Sequence, residues 1–270
     1  MTEPHEPLIV ARSGGVVTVT LNRPDRKNAI NGAMWRALTD TFTTIRHNSD
    51  DRVVVIAGAG GAFCSGQDVA DLGARNEAFI DGASTSPPTL FNMYAVNRVA
   101  LDLHHMPKPT IAKVDGVAAG AGANLALGCD LVVASDRARF TQIFAQRGLS
   151  LDFGGSWLLP RLVGLQKAKE LAFFGDAVDA DEAAALGLVN RVVLSSDLDA
   201  AADEWANRLA AGPTVALSMI KKMLNHSVAG SMDDALEDEA RCQHVSFSTA
   251  DMLEAVAAFL QRRPAKFTGR

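Results

Sequence analysis

Apolar and polar positions alternate near the start of the chain and then recur at helical spacing. The β-rich runs 8–10 and 16–21 flank a Gly14-Gly15 turn, which predicts a β-hairpin ended by Pro24. After a polar link, four large apolar residues recur every three or four positions, as one face of an α-helix requires. They are Met34, Leu38, Phe42 and Ile45. This spacing predicts an amphipathic helix that ends near His47.

Two later segments repeat one layout, a β-branched strand followed by a glycine-rich turn. Strand 52–57 precedes GGAFCSGQDV, and strand 110–114 leads into VDGVAAGAGANLALGCD. A helix over about 90–105 separates the two segments, and a further strand is expected at 130–134. Because strands alternate with helices, the pattern predicts an α/β core.

The rest of the chain divides into connecting segments and a helical end. Residues 68–89 are rich in glycine, serine and proline with little periodicity, which predicts a mobile surface loop near a site. A helix near 167–174, a helical turn at 181–187 and a short strand at 189–194 follow. From 198 to 259 the apolar period is helical, so we expect a body over 1–196 and a helical region over 197–270. Those helices are too few to form their own core and should pack on the body or on a neighbouring subunit.

Composition limits the classes of function. The 270 residues are 48% hydrophobic and 21% charged with a net charge of −5, as in an ordinary globular protein, and the charge argues against nucleic-acid binding. Three cysteines far apart in sequence predict neither disulfides nor a zinc site and fit a reducing cytoplasm. The first ten residues lack the pattern of a secretory signal, and the longest apolar run contains polar residues and glycines, so no membrane segment is predicted.

The two glycine-rich turns predict a site for a negatively charged oxygen. The first amides of a helix lack internal partners, so two strand–turn–helix units can aim two N–H groups at one oxygen. Such a pair is an oxyanion hole. The alternative is that the glycines only permit close packing of helix on strand. The run at 120–125 is not a dinucleotide fingerprint, because Leu125 stands where the third glycine is needed.

Among the polar residues, Asp152 has the strongest chemical signal. It lies in the glycine-rich, apolar segment LSLDFGG, where partial desolvation would raise its pKa toward values useful for moving protons. The alternative is a helix N-cap before Gly154. Ser65 lacks the flanking glycines of a nucleophile elbow, and none of the six histidines has the spacing of metal ligands, so no metal site is expected.

Five motifs in order extend over essentially the whole chain: LNRPDRKNAI, FCSGQDV, VDGVAAGAGANLALGCDLV, GLSLDFGGSWLLPRLVG and FLQRRPAKFTGR. With them the chain resembles the crotonase (enoyl-CoA hydratase/isomerase) superfamily, most of all its ring 1,2-epoxyphenylacetyl-CoA isomerase branch. The resemblance implies a crotonase-like spiral of ββα units with a C-terminal helical trimerisation region. It also implies homotrimers or dimers of trimers, an acyl-CoA substrate, and no cofactor beyond the coenzyme A of that substrate.

The resemblance also assigns residues to the site. The N–H groups of Gln67 and Ala121 would form the oxyanion hole. Arg26 and Arg262 would meet coenzyme A phosphates. Further residues would contact the adenine, the pantetheine or the acyl group: Ala29, Ser65, Gly66, Asp68, Val69 and Gly120.

The chain departs from the hydratases of this superfamily at both catalytic glutamates. The matching positions are Asn124, which could orient the acyl group or simply fill space, and Phe144, which would form an apolar wall. Asp152 matches the aspartate of the family's isomerases. The sequence therefore predicts an isomerase in which Asp152 shuttles a proton through a thioester enolate. Two alternatives stay open: an enoyl-CoA hydratase, and a non-catalytic acyl-CoA-binding protein.

Overall fold

A computed structural model of the chain describes residues 6–68 and 90–270. Val69 and the predicted loop over 70–88 lie outside these residues. In the described part of the chain, no helix is both long and apolar enough to cross a membrane.

Within residues 6–68 and 90–270, nine strands form two sheets. In chain order they are β1 Leu8–Ser13, β2 Val16–Leu21, β3 Val53–Gly58, β4 Thr110–Val114, β5 Val117–Ala119, β6 Leu131–Ser135, β7 Arg139–Thr141, β8 Val178–Asp179 and β9 Arg191–Val193. The larger sheet has the order β1-β2-β3-β4-β6-β9, and the smaller has the order β5-β7-β8. The predicted hairpin is confirmed as the antiparallel pair β1–β2, and β2, β3, β4, β6 and β9 run parallel.

Ten α-helices are described. In chain order they are α1 Gly32–His47, α2 Leu90–His104, α3 Ala121–Leu127, α4 Gly155–Val163, α5 Leu165–Phe174, α6 Ala180–Ala185, α7 Leu198–Ala210, α8 Thr214–Ser227, α9 Met232–Phe247 and α10 Ala250–Leu260. The predicted α/β class and helical C-terminal region are confirmed. The sequence pattern missed the short strands β5, β7 and β8, and it indicated α4 only through the alternative of a helix N-cap before Gly154.

The chain follows a repeating path between the two sheets. From β4 in the large sheet it passes directly to β5 in the small sheet, then to α3, and β6 and β7 repeat the step from sheet to sheet. This is the predicted spiral of ββα units. A bridge pairs Cys64, in the segment that follows β3, with Ala118 in β5. The glycine-rich turn after β5 therefore lies beside the segment that follows β3.

The large sheet has a core on each face. On one face, α1 buries the apolar stripe predicted for it, and its four members are 0% exposed. On the other face, α7 packs against a smaller cluster that includes Val53, Val55, Ile111 and Val133. The first helix of the C-terminal region therefore packs on the α/β body, as expected from its shortage of core residues.

The later C-terminal helices expose large apolar side chains. The set on α8, α9 and α10 comprises Ile220, Leu224, Met232, Leu236, Val245, Phe247, Leu253, Val256, Phe259 and Leu260. Scattered exposed apolar residues are ordinary, but a concentration of this kind on one region is typical of an interface.

One glycine keeps α3 in contact with the segment after β3. A Cβ at Gly122 would lie 2.4 Å from the Cys64 carbonyl oxygen and 2.7 Å from its Sγ. We expect Gly122→Ala to lower the free energy of unfolding by about 1–3 kcal/mol, because the backbone of residue 64 has to move. Chemical denaturation measures the change.

Gly230→Ala is the matched control. Its Cβ would meet nothing closer than 3.4 Å, at the Asp234 side chain. The control should change the free energy of unfolding by less than about 1 kcal/mol. Equal effects at the two positions would show that contact with Cys64 does not limit the packing of α3.

Candidate active site

The first turn carries Gln67 on an extended segment beside Ile30. Ile30 N donates to the Gly66 carbonyl at 2.8 Å, and Asp68 N donates to the Ile30 carbonyl at 2.9 Å. Because neighbouring residues of an extended segment face opposite ways, this pairing directs the Gln67 N–H away from Ile30. Gly66 has φ +93°, a left-handed conformation in which a side chain would be strained.

The second turn starts helix α3 without a side-chain cap. Gly120 precedes the helix with φ +54° and ψ −125°, and no side chain bonds to the first amides. The Gly120 amide itself donates to the Thr141 carbonyl at 2.9 Å, which ties the turn to β7. The N–H of Ala121 is therefore one of the open donors at a helix N-terminus.

The two turns lie against each other. A Cβ at Gly66 would lie 2.7 Å from the Ala119 carbonyl oxygen and 3.6 Å from the Ala121 amide nitrogen. In the described part of the chain, neither the Gln67 N–H nor the Ala121 N–H has a hydrogen-bond acceptor. Two such donors on adjacent turns can stabilise an oxygen that gains negative charge.

Asp152 is a partly buried residue, and one of its two carboxylate oxygens is enclosed without a hydrogen bond. Its Oδ1 is buried and has no hydrogen-bond partner in the described structure. Burial raises the pKa of Asp152 from its ordinary value of 3.8 to about 6. The carboxylate does not cap α4, because the N-cap residue is Gly154 and no side chain bonds to the helix start. The alternative of a structural cap is therefore not what the structure contains.

Asn124 holds the Asp152 segment in place. Its Nδ2 donates to the main-chain carbonyl of Asp152 at 2.9 Å, and its Oδ1 accepts from Gln142 Nε2 at 2.9 Å. The side chain is fully buried. Because Asn124 belongs to α3, these bonds fix Asp152 relative to the helix that begins at Ala121.

Phe144 lies beside the second turn. A Cβ at Gly120 would be 3.5 Å from Phe144 Cζ, and the phenylalanine is buried. The phenyl ring is thus an apolar neighbour of the turn that carries the Ala121 N–H, and its role as a wall of the site stays a prediction.

Residues expected to contact coenzyme A lie along one edge of these turns. Ser65 N donates to the Lys27 carbonyl at 2.9 Å, and Ser65 Oγ donates to the Arg26 carbonyl at 3.2 Å, so the segments 26–30 and 65–68 run together. The Arg26 side chain is 66% exposed, with a 3.8 Å contact to Asp25. An exposed guanidinium can meet a phosphate without first leaving a strong partner.

Asp68 and Ala29 share one partner that the sequence pattern did not identify. Arg23 Nη1 donates to Asp68 Oδ2 at 2.9 Å and to the Ala29 carbonyl at 2.6 Å. The carboxylate of Asp68 thus joins the two segments. Val69, the next predicted contact, lies outside the described residues.

Arg262 has no hydrogen bond or ion pair with segments 26–30 or 65–68 among the described residues. It follows α10 with φ +51°, and its main-chain N–H donates to the Phe259 carbonyl at 3.1 Å. The tail beyond it is held elsewhere, since Phe267 accepts from Arg52 at the start of β3 and Asp251 accepts from Thr268 and Gly269.

Sequence reasoning missed three residues around the site: Arg23, Trp35 and Gln142. Trp35 has the helical spacing of a core residue, and Arg23 precedes a proline as an ordinary loop residue would. Only the polar character of Gln142 next to apolar Phe140 and Ile143 was a usable signal. In the described ranges, no group of three His, Cys, Asp or Glu residues is arranged to hold a metal ion.

The fold and the paired turns define the class of protein as a ββα-spiral protein of the crotonase type. The family model described as enoyl-CoA hydratase/isomerase matches residues 11–270. The chain belongs to the enoyl-CoA hydratase/isomerase family, and the resemblance inferred from its motifs is confirmed. Within that family it is an acyl-CoA hydratase or isomerase.

Some of the similar proteins are named isomerases and others are named hydratases. The chain is 38% identical to the 1,2-epoxyphenylacetyl-CoA isomerase of Escherichia coli (strain K12), over 95% of this chain and 96% of that protein. It is 35% identical to a short-chain-enoyl-CoA hydratase of Clostridium acetobutylicum, over 95% of each. The crystal structure of enoyl-CoA hydratase from Mycobacterium smegmatis matches with a TM-score of 0.87 and 33% identity, covering 98% of this chain and 99% of that one. These names therefore do not distinguish hydration from isomerisation for this chain.

The raised pKa of Asp152 predicts a cost to stability. The folded carboxyl keeps its proton up to about pH 6, whereas the unfolded one loses it near 3.8, so the free energy of unfolding falls as pH rises between these values. The free energy of unfolding of Asp152→Asn minus that of the wild type should therefore be larger at pH 7 than at pH 4. We expect this difference to increase by about 2–3 kcal/mol between the two pH values. Chemical denaturation at both pH values measures this difference. A constant difference between Asp152→Asn and the wild type from pH 4 to pH 7 would contradict a raised pKa for Asp152.

Proposed function

We propose that this protein is an acyl-CoA isomerase that moves a proton along the acyl group through a thioester enolate. The single observation that carries the proposal is the Asp152 carboxylate, whose Oδ1 is buried without a hydrogen-bond partner and whose pKa is raised to about 6 by desolvation. It lies on a segment hydrogen-bonded to the helix that begins at Ala121. A base of this strength is suited to proton transfer near neutral pH.

The proposed reaction needs one carboxylate and two amides. Asp152 takes a proton from C2 of a 3-enoyl-CoA, and the electron pair of that C–H bond moves into the thioester. The N–H groups of Gln67 and Ala121 stabilise the negative oxygen of the resulting dienolate. Protonated Asp152 then returns the proton at C4, and the double bond shifts to C2. A ring-epoxidised acyl-CoA would use the same groups: Asp152 removes a proton from C2 to give the corresponding enolate and returns that proton to a ring carbon, so that the product is an isomer of the substrate.

The residues at the two hydratase positions favour isomerisation over hydration. Syn-addition of water is shared between two carboxylates in the family's hydratases, whereas Asn124 and Phe144 cannot exchange protons here. The Asn124 amide is also bound to Asp152 and Gln142 rather than open to a water. Hydration would therefore require Asp152 alone to activate the water and deliver the α-proton.

Binding of the coenzyme A moiety is proposed along segments 26–30 and 65–68. Arg26 would pair with a phosphate, and the main chain of Ala29, Ser65, Gly66 and Gly120 would contact the adenine and pantetheine. The resemblance adds Asp68 and Val69 to these contacts, and Val69 lies outside the described residues. No other cofactor is needed, since a carboxylate and amide dipoles supply the whole reaction.

We also propose a homotrimer, or a dimer of trimers, in the cytoplasm. The apolar side chains exposed on α8, α9 and α10 support an assembly that covers them. In such an assembly, we expect Arg262 of one subunit to approach the coenzyme A of a neighbour, since it has no hydrogen bond or ion pair with segments 26–30 or 65–68 among the described residues of its own chain.

Asp152→Asn tests the proposed reaction. A panel of 3-enoyl-, 2,5-dienoyl- and aryl-CoA substrates is assayed, and exchange of the α-protons is followed by NMR in D₂O. We expect the variant to lose about two to four orders of magnitude in kcat, because an amide cannot accept the proton. Binding of the CoA thioester, measured by calorimetry, should stay within about threefold.

The outcomes separate the three functions. Equal isomerase turnover in wild type and variant would contradict the proton shuttle. Addition of water to 2-enoyl-CoA by the wild type at a higher rate than isomerisation would favour a hydratase. Tight binding of CoA esters with neither turnover nor α-proton exchange in the wild type would favour a binding protein.

Arg26→Ala tests the coenzyme A end of the site separately. We expect KM to rise about three- to tenfold with kcat unchanged, because the phosphate contact is equal in the ground state and the transition state. Arg208→Ala, on the exposed face of α7, is the control and should leave both constants unchanged. An unchanged KM in Arg26→Ala would remove this residue from the binding site.

A further inference from the structure

Trp35 links the two halves of the proposed site. Its indole Nε1 donates to Gln67 Oε1 at 2.7 Å, and the side chain is buried on α1. A buried indole N–H needs an acceptor, and here the acceptor belongs to the residue whose main-chain N–H faces the candidate oxyanion hole. The bond therefore constrains the conformation of Gln67.

The face of the same indole packs on the segment that carries the base. The rings of Trp35 and Phe153 stack with centroids 5.6 Å apart and an angle of 25° between planes. Phe153 is adjacent to Asp152 and has φ +48°, an unusual conformation for a residue with a side chain. Such strain persists only where surrounding contacts hold it, and the stacked indole is one of those contacts.

We propose that Trp35 is a positioning residue that couples the oxyanion donor at Gln67 to the carboxylate at Asp152. The inference rests on the proposed function and adds one residue to it. Trp35 acts through its two neighbours: the N–H holds Gln67, and the ring holds the Phe153 side of the Asp152 segment. A tryptophan that served only as core filling would affect stability but not the alignment of these groups.

The residue before Gln67 is a glycine, so the backbone there is fixed by its contacts and not by a side chain of its own. The pairing with Ile30 and the indole bond to the Gln67 side chain are contacts that set the orientation of the Gln67 N–H. Because small misplacements of reacting groups cost rate steeply, loss of the indole bond should lower kcat about 10- to 100-fold.

A double-mutant cycle tests the hydrogen bond. Trp35→Phe keeps a ring for the stack and removes the donor, while Gln67→Met removes the acceptor and keeps the main-chain N–H. We expect each single variant and the double variant to lose kcat by the same factor, with KM within about twofold. Multiplication of the two single effects in the double variant, or an unchanged kcat in Trp35→Phe, would overturn the proposal.

Two further variants separate positioning from packing. Trp35→Leu removes both the N–H and the ring, so the Asp152 segment loses its stacking partner and the carboxylate becomes less desolvated. The inflection of the pH–rate profile, which reports the pKa of Asp152, should then move below the value of about 6 that Trp35→Phe retains. Trp205→Phe is the matched control, because this tryptophan packs with the cluster on the opposite face of the large sheet. Its kcat, KM and pH profile should equal those of the wild type.

A spectroscopic readout distinguishes failure of this inference from failure of the proposed function. Isotope-edited infrared spectra of bound hexanoyl-CoA, labelled with ¹³C at the carbonyl, report how strongly the thioester oxygen is polarised. We expect a shift to lower frequency in the wild type and a smaller shift in Trp35→Phe and Gln67→Met. Absence of the shift in the wild type would contradict the oxyanion hole itself. A full shift in Trp35→Phe would contradict only the role of Trp35.

Discussion

The close approach of two main-chain turns is the constraint on which the candidate site depends. Amides of different segments can reach one oxygen only if no side chain stands between their backbones. Gly66 and Gly122 meet this condition, since a Cβ at either would lie within 2.7 Å of backbone oxygen of the other segment. The fold therefore positions the two N–H donors. The residues that permit this approach are glycines, which have no side chain and take no part in the chemistry.

Asp152 is positioned by bonds that avoid its carboxylate. Asn124 bonds to the main-chain carbonyl of Asp152, and Phe153 is held by stacking on Trp35. A donor directed at the carboxylate itself would favour the charged form and lower its pKa. These contacts fix the backbone of the Asp152 segment. The carboxylate is thereby positioned without a hydrogen-bond donor that would stabilise its charge. The cost is an ionisable group whose burial opposes folding above its ordinary pKa.

Local periodicity explains which parts of the fold could be predicted from the sequence. The hairpin, α1 and the strands after 52 and 110 carry regular patterns over five or more residues, and the structure has them within one or two positions. Strands β5, β7 and β8 contain only two or three residues each, too few for any period to be visible. The two glycine-rich turns were evident from composition. The bonds of Trp35 to Gln67 and of Asn124 to Asp152 join residues 32 and 28 positions apart, and such contacts have no local signature.

The packing around Asn124 also bears on why one carboxylate, rather than two, suits this site. Asn124 is 0% exposed, and a Cβ at Gly155 would lie 2.4 Å from its Nδ2, so the start of α4 closes tightly over the amide. A glutamate there would be longer by one methylene and would bring a second charge into the region where Asp152 is already desolvated. Two buried carboxylates so near each other cannot both ionise without a large rise in one pKa. To accommodate a second acid, Gly155 and the Asp152 segment would have to move apart, and that movement would break the bond that positions the proposed base.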